Sequence, residues 1–356
     1  MKYKIPFLIL CSIFLFSCSN ENELKYNITT AQIPMQDNIH LAADIYWPTR
    51  YSKGNVYPVL LEYIPYRKDE SRGRNYPLYS YFLDNDYIVA RVDIRGTGNS
   101  EGKVIPNEYS DIELDDGEEV IEWLANQSWS NGKVGMFGIS WGGFNSIQMS
   151  MRNPPALKAY VAVMATEYLY EEDVHYIDGI MVAGDSWMMS NDLYNSLPGA
   201  PDFLMDEQWY EDRFDVEPSV YKYMRQQRDG PFWDRASAKN KYHLIKVPGY
   251  HIGGWYDGYR NSLPRMVENV SAPVKAMIGP WDHDYPHDAA LKPQVEWRHE
   301  AVRWFDQFLK QKNTGILEEP KFAIYMRDYH EPDDSIEYLS LIHISEPTRP
   351  RLRAYA

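Results

Sequence analysis

Gly138-Ile139-Ser140-Trp141-Gly142 carries the densest chemistry in this 356-residue chain. In the pattern G-x-S-x-G the serine sits on a sharp turn between a strand and a helix, with its Oγ exposed for attack. Val134–Phe137 reads as the short buried strand before it. Gly143–Arg152 reads as the helix after it, stopped by Asn153-Pro154-Pro155. The small residues at 138 and 142 let a strained turn pack closely. A Gly-rich turn whose serine merely caps a helix is the plainer reading, and partners decide between the two. Serine is a poor nucleophile at its own pKa. It needs a histidine to take its proton and a carboxylate to orient that histidine, in the chain order Ser, Asp, His for this kind of elbow.

Two later apolar segments read as strands with a candidate at the carboxyl end of each. Val247–Trp255 leads into Tyr256-Asp257-Gly258, and Ala272–Gly279 leads into Pro280-Trp281-Asp282-His283. Open α/β sheets build their sites at that end. Asp257 is assigned as the orienter and His283 as the base. Alone, Asp257 is equally a turn residue beside Gly258, and His283 a solvated loop histidine; order, spacing and strand-end placement together favour the catalytic reading. The backbone N–H of Trp141, next after the nucleophile, would meet the oxyanion. The triad predicts His283 within hydrogen-bond reach of both Ser140 and Asp257, at ~2.6–3.2 Å. Such chemistry needs no cofactor. Asp282, Asp284 and His287 add metal-ligand types around His283, but no second cluster joins them and no metal is expected.

These motifs resemble those of the CocE/NonD serine hydrolases. That group includes cocaine esterase, glutaryl cephalosporin acylases and α-amino-acid ester hydrolases, with X-prolyl dipeptidyl-peptidases at greater distance. The similarity rests on Leu60–Lys68, Asp93–Gly102, the elbow, Gly254–Asp257 and Gly279–His283, in that order, and extends over roughly residues 28–338. It implies Ser140 as nucleophile, Asp257 and His283 as its partners, and Tyr66 as a second oxyanion donor, a role no spacing argument assigns. It also implies a C-terminal β-sandwich, whose first strand Lys321–Met326 resembles. Amino-acid ester hydrolases place further carboxylates just after the aspartate, whereas here Gly258, Tyr259, Arg260 and Asn261 follow. Arg260 disfavours a free ammonium as anchor and suits an anionic acyl group. The expected function is hydrolysis of a small-molecule ester or amide through an acyl-enzyme. Two alternatives stay open: an X-prolyl dipeptidyl-peptidase-like peptidase, and a lipid-anchored, non-catalytic binding protein on a hydrolase scaffold.

Positioning such a site takes alternating strands and helices. His40–Trp47, Tyr57–Pro65, Tyr87–Asp93 and Leu157–Met164 read as further strands. Ser110-Asp111-Ile112-Glu113 reads as a capping box, opening a helix through Asn126 with Ile112, Val120, Ile121, Trp123 and Leu124 buried. Val295–Gln311 is an amphipathic helix with Ala301, Trp304, Phe305 and Leu309 on one face. The alternation predicts an α/β-hydrolase fold: a doubly wound, mostly parallel sheet over residues 28–165 and 242–315, with a helical cap at 166–241. Trp187, Met188, Met189, Tyr194, Trp209, Tyr210 and Trp233 in the cap could wall an acyl pocket, although such a stripe is equally plain core. Arg95 reads as half of a buried structural ion pair.

The ends are read apart from the fold. Met1–Lys4 is basic and Ile5–Phe16 is a short apolar run, too short for a mature membrane span. Leu15-Phe16-Ser17-Cys18 resembles a bacterial lipobox, which predicts a signal over 1–17, lipidation of Cys18, a tether over 18–27, and an envelope location, on the outer membrane at its periplasmic or surface face. Both cysteines, Cys11 and Cys18, fall there, so the body has no thiol for disulfides or catalysis. Residues 316–338 would begin the sandwich. Residues 339–356 include Leu339–Arg349, which resembles a translated sequencing-library adapter. A formal net charge of −15 argues against nucleic acid as a partner, which demands basic patches. Nothing in the chain specifies an oligomeric state.

Overall fold

The computed structural model describes residues 27–48, 50–182, 184, 196–326 and 352–354. The expectations for Cys18, Trp187, Met188, Met189, Tyr194 and Leu339–Arg349 fall outside the described residues. One ten-stranded sheet organises the molecule, in the order β1-β2-β4-β3-β5-β6-β9-β10-β11-β12. β1 (Asn27–Pro34) and β2 (His40–Trp47) enter antiparallel. β3 (Tyr57–Ile64), β4 (Ile88–Asp93), β5 (Ser130–Ile139), β6 (Leu157–Val163), β9 (Gly249–Gly254), β10 (Val274–Gly279) and β11 (Phe322–Tyr325) run parallel. β12 (Leu352–Ala354) closes the edge antiparallel to β11. Every residue of β3, β4, β9 and β10 is buried, as expected of parallel strands with both faces covered. The covering helices are α1 (Arg72–Asp84), α2 (Asp111–Ala125), α3 (Trp141–Arg152), α8 (Ser262–Asn269) and α9 (Trp297–Leu309). This is the α/β-hydrolase architecture the alternation predicts, and Ala301, Trp304, Phe305 and Leu309 of α9 are all fully buried.

Three readings change. Phe322–Tyr325, expected to open a separate sandwich, instead extends the main sheet: Ala276 pairs with Phe322 and Ile278 with Ile324, through the crossover made by α9. A parallel strand beside β10 covers backbone groups that would otherwise form an open edge. In α2, Ile112 is exposed, while Glu113 and Asp116 take buried positions. Those two polar residues sit in the core because each is satisfied there. Asp116 receives Arg95 through Nε at 2.7 Å and NH2 at 2.6 Å, the buried ion pair foreseen for Arg95. Glu113 does not close a capping box with Ser110, whose side chain makes no cap bond. It accepts from the Tyr109 N–H at 2.6 Å and reaches under the elbow.

The described residues of the segment inserted between β6 and β9 form short helices and a hairpin. It holds α4 (Leu169–Glu172), a hairpin of β7 (Tyr176–Ile177) and β8 (Ile180–Met181), α5 (Glu207–Trp209), a π-turn over Tyr210–Phe214, α6 (Ser219–Arg225) and α7 (Pro231–Asp234). Aromatic packing holds these short pieces: Tyr170, Tyr176, Tyr223 and Phe232 surround Trp233 at ring distances of 5.0–5.7 Å. Ionic contacts fasten the segment to the sheet domain. Arg265 of α8 clamps the buried Glu167 at 2.6 Å and Glu172 at 2.7 Å. Among the described residues, no helix is long and apolar enough to cross a membrane.

Candidate active site

Ser140 stands between β5 and α3 at φ 55° and ψ −124°, a left-handed backbone that a non-glycine residue adopts only when its surroundings enforce it. Its N–H bonds the Val163 carbonyl at 3.0 Å, and its carbonyl accepts from Phe144 at 2.9 Å, so strand β6 and the first turn of α3 pin both sides. Gly138 is required here: a Cβ on it would meet the Gly142 Cα at 2.7 Å, closer than real side chains come. α3 ends at Asn153, itself left-handed at φ 53°, just before Pro154.

Asp257 and His283 follow β9 and β10, and the two strand ends are knitted together. The Trp255 N–H donates to the Gly279 carbonyl at 2.8 Å, and the Tyr256 N–H to the Trp281 carbonyl at 3.0 Å. Gly254 allows this approach, since a Cβ there would lie 2.1 Å from the Trp281 carbonyl oxygen. The result is a 2.6 Å contact between Asp257 Oδ2 and His283 Nδ1, with the carboxylate buried and the imidazole 47 % exposed. An aspartate on Nδ1 leaves Nε2 as the nitrogen able to exchange a proton with a substrate or a serine.

Tyr66 lies after β3, half-buried, with its ring edge-on to Trp141 at 6.4 Å. Burial pushes its phenol well above the ordinary range, while hydrogen bonds from the Ser140 side chain and the Trp141 N–H pull the other way. The net effect keeps it protonated. The two expected oxyanion donors, the Tyr66 hydroxyl and the Trp141 N–H, therefore lie next to each other at the elbow. The expected Ser140–His283 hydrogen bond is not among the contacts of the described residues; the serine side chain lies beside the Tyr66 phenol instead. Catalytic hydrogen bonds of this kind are often long in the free enzyme and tighten only with substrate in place.

Trp233 is not a pocket wall. It is 1 % exposed, stacked on Tyr223, with its Nε1 donating to the Gln226 carbonyl at 2.8 Å, and so belongs to the cap core. Arg260 is exposed near the site, its NH1 reaching back to the Asp257 carbonyl at 3.2 Å. His287 takes the Trp297 Nε1–H at 3.0 Å, which separates it from the acids beside His283. A cavity of about 820 Å³ opens between the 98–103 loop and the 198–213 segment, away from Ser140.

The structure adds residues the motifs did not single out. Tyr259 donates its N–H to Asp257 Oδ1 at 2.8 Å, an Asx-turn that fixes the carboxylate. Its ring packs edge-on to His283 at 5.6 Å, and its hydroxyl lies beside Asp173. The sequence signal was present, since an Asp followed by Gly invites that turn. Asp173, Glu108 and His175 form a buried group whose facing atoms lie within 4.8 Å of one another. His175 Nε2 already contacts Glu108 Oε2 at 2.5 Å, and the Tyr223 hydroxyl donates to the same oxygen at 2.8 Å. Burial pushes Asp173 up to about 7.

A family model described as X-Pro dipeptidyl-peptidase (S15 family) matches residues 37–285, most of the chain and every site residue described here. The chain belongs to the X-Pro dipeptidyl-peptidase (S15) family. It is 26% identical to the cocaine esterase of Rhodococcus sp. over 353 residues, covering 88% of this chain and 60% of that protein. Among solved structures, a CocE/NonD family hydrolase from Staphylococcus aureus superposes with a TM-score of 0.66 at 21% identity, over 88% of this chain and 58% of that one. An aminopeptidase from a marine sediment Thaumarchaeota archaeon reaches the same TM-score at 20% identity, over 88% and 59%. These superpositions carry the fold. The chain thus spans about 60% of the length of the first of these relatives.

Proposed function

We propose that this S15-family chain is a serine hydrolase that cleaves a small-molecule ester or amide through an acyl-enzyme. The observation that carries this reading is convergence: a strained elbow serine, a carboxylate-bound imidazole, and a phenol beside both the serine and the Trp141 N–H. Ser140 Oγ attacks the carbonyl carbon as His283 Nε2 takes its proton. Asp257 holds Nδ1–H and stabilises the imidazolium. The carbonyl oxygen, becoming an oxyanion, is met by the Trp141 N–H and the Tyr66 hydroxyl. His283 then returns the proton to the leaving group, and a water activated by the same imidazole releases the acyl group.

Esterase and X-prolyl peptidase readings share this chemistry and differ in substrate. The family description supports the peptidase, and the relative with 26% identity is named for an esterase. Arg260, exposed beside Asp257, supports an acyl chain bearing a carboxylate over one bearing an ammonium. The test is a fluorophosphonate label on wild type and Ser140→Ala, followed by nitrophenyl esters with neutral, anionic and amino-terminated acyl groups and by Xaa-Pro nitroanilides. Labelling that survives Ser140→Ala would overturn the nucleophile. Cleavage confined to Xaa-Pro nitroanilides would select the peptidase.

A further inference from the structure

Glu113 is a buried carboxylate with no ion-pair partner among the described residues, and the mechanism above leaves it without a task. Three donors converge on it: the Trp141 Nε1–H at 2.7 Å, the Asn145 Nδ2–H at 3.0 Å and the Tyr109 N–H at 2.6 Å. Burying a charge without a cation is unfavourable, so its retention needs a return elsewhere. Trp141 indicates where. Its N–H is one proposed oxyanion donor, and its indole lies edge-on to the ring of Tyr66, the other. Being the first residue of α3, Trp141 lacks the intrahelical hydrogen bond that would hold its N–H in place. Its peptide is held on one side by the Ser140 carbonyl's bond to Phe144, and the indole's bond to Glu113 anchors the residue from the other. Asn145, one turn further along α3, shares Glu113 Oε1 with Trp141 and also donates to the Tyr63 carbonyl at 3.0 Å, tying the helix start to the end of β3 that leads into Tyr66.

We infer that Glu113 is a positioning residue for the oxyanion site: through the Trp141 indole it sets the aim of both donors. The inference rests on the serine-hydrolase reading. A glutamine at 113 turns its NH2 either on the Tyr109 N–H or on the Trp141 and Asn145 donors, and in either case donor faces donor and the side chain is pushed off its bond to the indole. Phenylalanine at 141 keeps the backbone N–H and removes only the anchoring donor.

The experiment measures kcat and KM on a chromogenic ester for wild type, Glu113→Gln, Trp141→Phe and the double variant. Active sites are titrated from the burst, and melting curves establish that each variant is folded. Each single variant should lose roughly 10- to 100-fold in kcat, somewhat less than the ~10²–10³ for outright removal of a donor, with KM within about twofold. The double variant should be no worse than the weaker single, because both changes break one bond. If Glu113→Gln does not fold, Trp141→Phe tests the same bond from its other end. Folded variants with kcat within about twofold of wild type, losses that multiply in the double variant, or losses confined to KM would overturn the role. Ser140→Ala, run alongside, separates this failure from that of the parent reading: activity surviving there refutes the serine nucleophile whatever Glu113 does.

Discussion

Tyr66 and Trp141 approach the serine from different elements, and their contributions separate experimentally. Tyr66→Phe removes one donor while keeping the ring against the Trp141 indole. Turnover should fall about 10²–10³-fold with little change in KM, as steady-state kinetics would show. Turnover within a few-fold of wild type would assign the second donor elsewhere. Asp257→Asn should keep the fold and lose about 10⁴-fold in kcat, since the amide favours the wrong imidazole tautomer. Glu113 makes a further prediction about stability. Burial pushes its carboxyl up to about 7, above the ordinary ~4.3. The folded state then holds this proton more tightly than the unfolded state does. Its contribution to stability is therefore full below pH ~4 and lost as pH rises through about 7. Glu113→Gln has no such proton, so its melting temperature relative to wild type should shift in the variant's favour between pH 5 and 8. A difference that stays constant across that range would contradict the assignment.

The elbow is an element whose shape depends on absent atoms. Gly138→Ala places a methyl against the Gly142 backbone at 2.7 Å, and backbone cannot move aside as a flexible side-chain tip would. The variant should lose roughly 1–3 kcal/mol, read by chemical denaturation, and most of its activity, because any relief reorients Ser140. This element was legible in the sequence because a strand, three small residues and a helix stop fall within twenty positions. The ends of β9 and β10 were legible for a similar reason, each being an apolar run that closes on its candidate residue. Glu113 was not: its spacing from Ser110 matches a capping box, and nothing local reveals that the side chain bonds a tryptophan twenty-eight positions away. Tyr66 required family resemblance, since a tyrosine after a strand has no periodic signature. Among the described residues of the cap, Trp and Tyr side chains pack on one another and no helix exceeds seven residues, a packing that no helical periodicity in the sequence announces.

At the scale of the molecule, the cap is an insertion fastened by ionic contacts, with Arg265 as its principal clamp. Arg265→Met would leave Glu167, fully buried, with the Ser262, Tyr242 and Thr166 hydroxyls but no cation for its charge among the described residues. Removing one partner of a buried pair typically costs about 3–5 kcal/mol. The melting point should drop by several degrees, and amide exchange should accelerate first across 166–172; unchanged exchange there would show that the clamp is dispensable. The insertion has a further consequence. It separates β6 from its sheet neighbour β9, and so separates Ser140 from Asp257 and His283 along the chain. A polypeptide emerging from the ribosome amino-end first presents its nucleophile long before its base. Until β10 emerges and docks, the serine is an ordinary alcohol. On the proposed mechanism, an unfinished chain would therefore hold its serine without its base, and the order of translation would delay the chemistry until the sheet is complete.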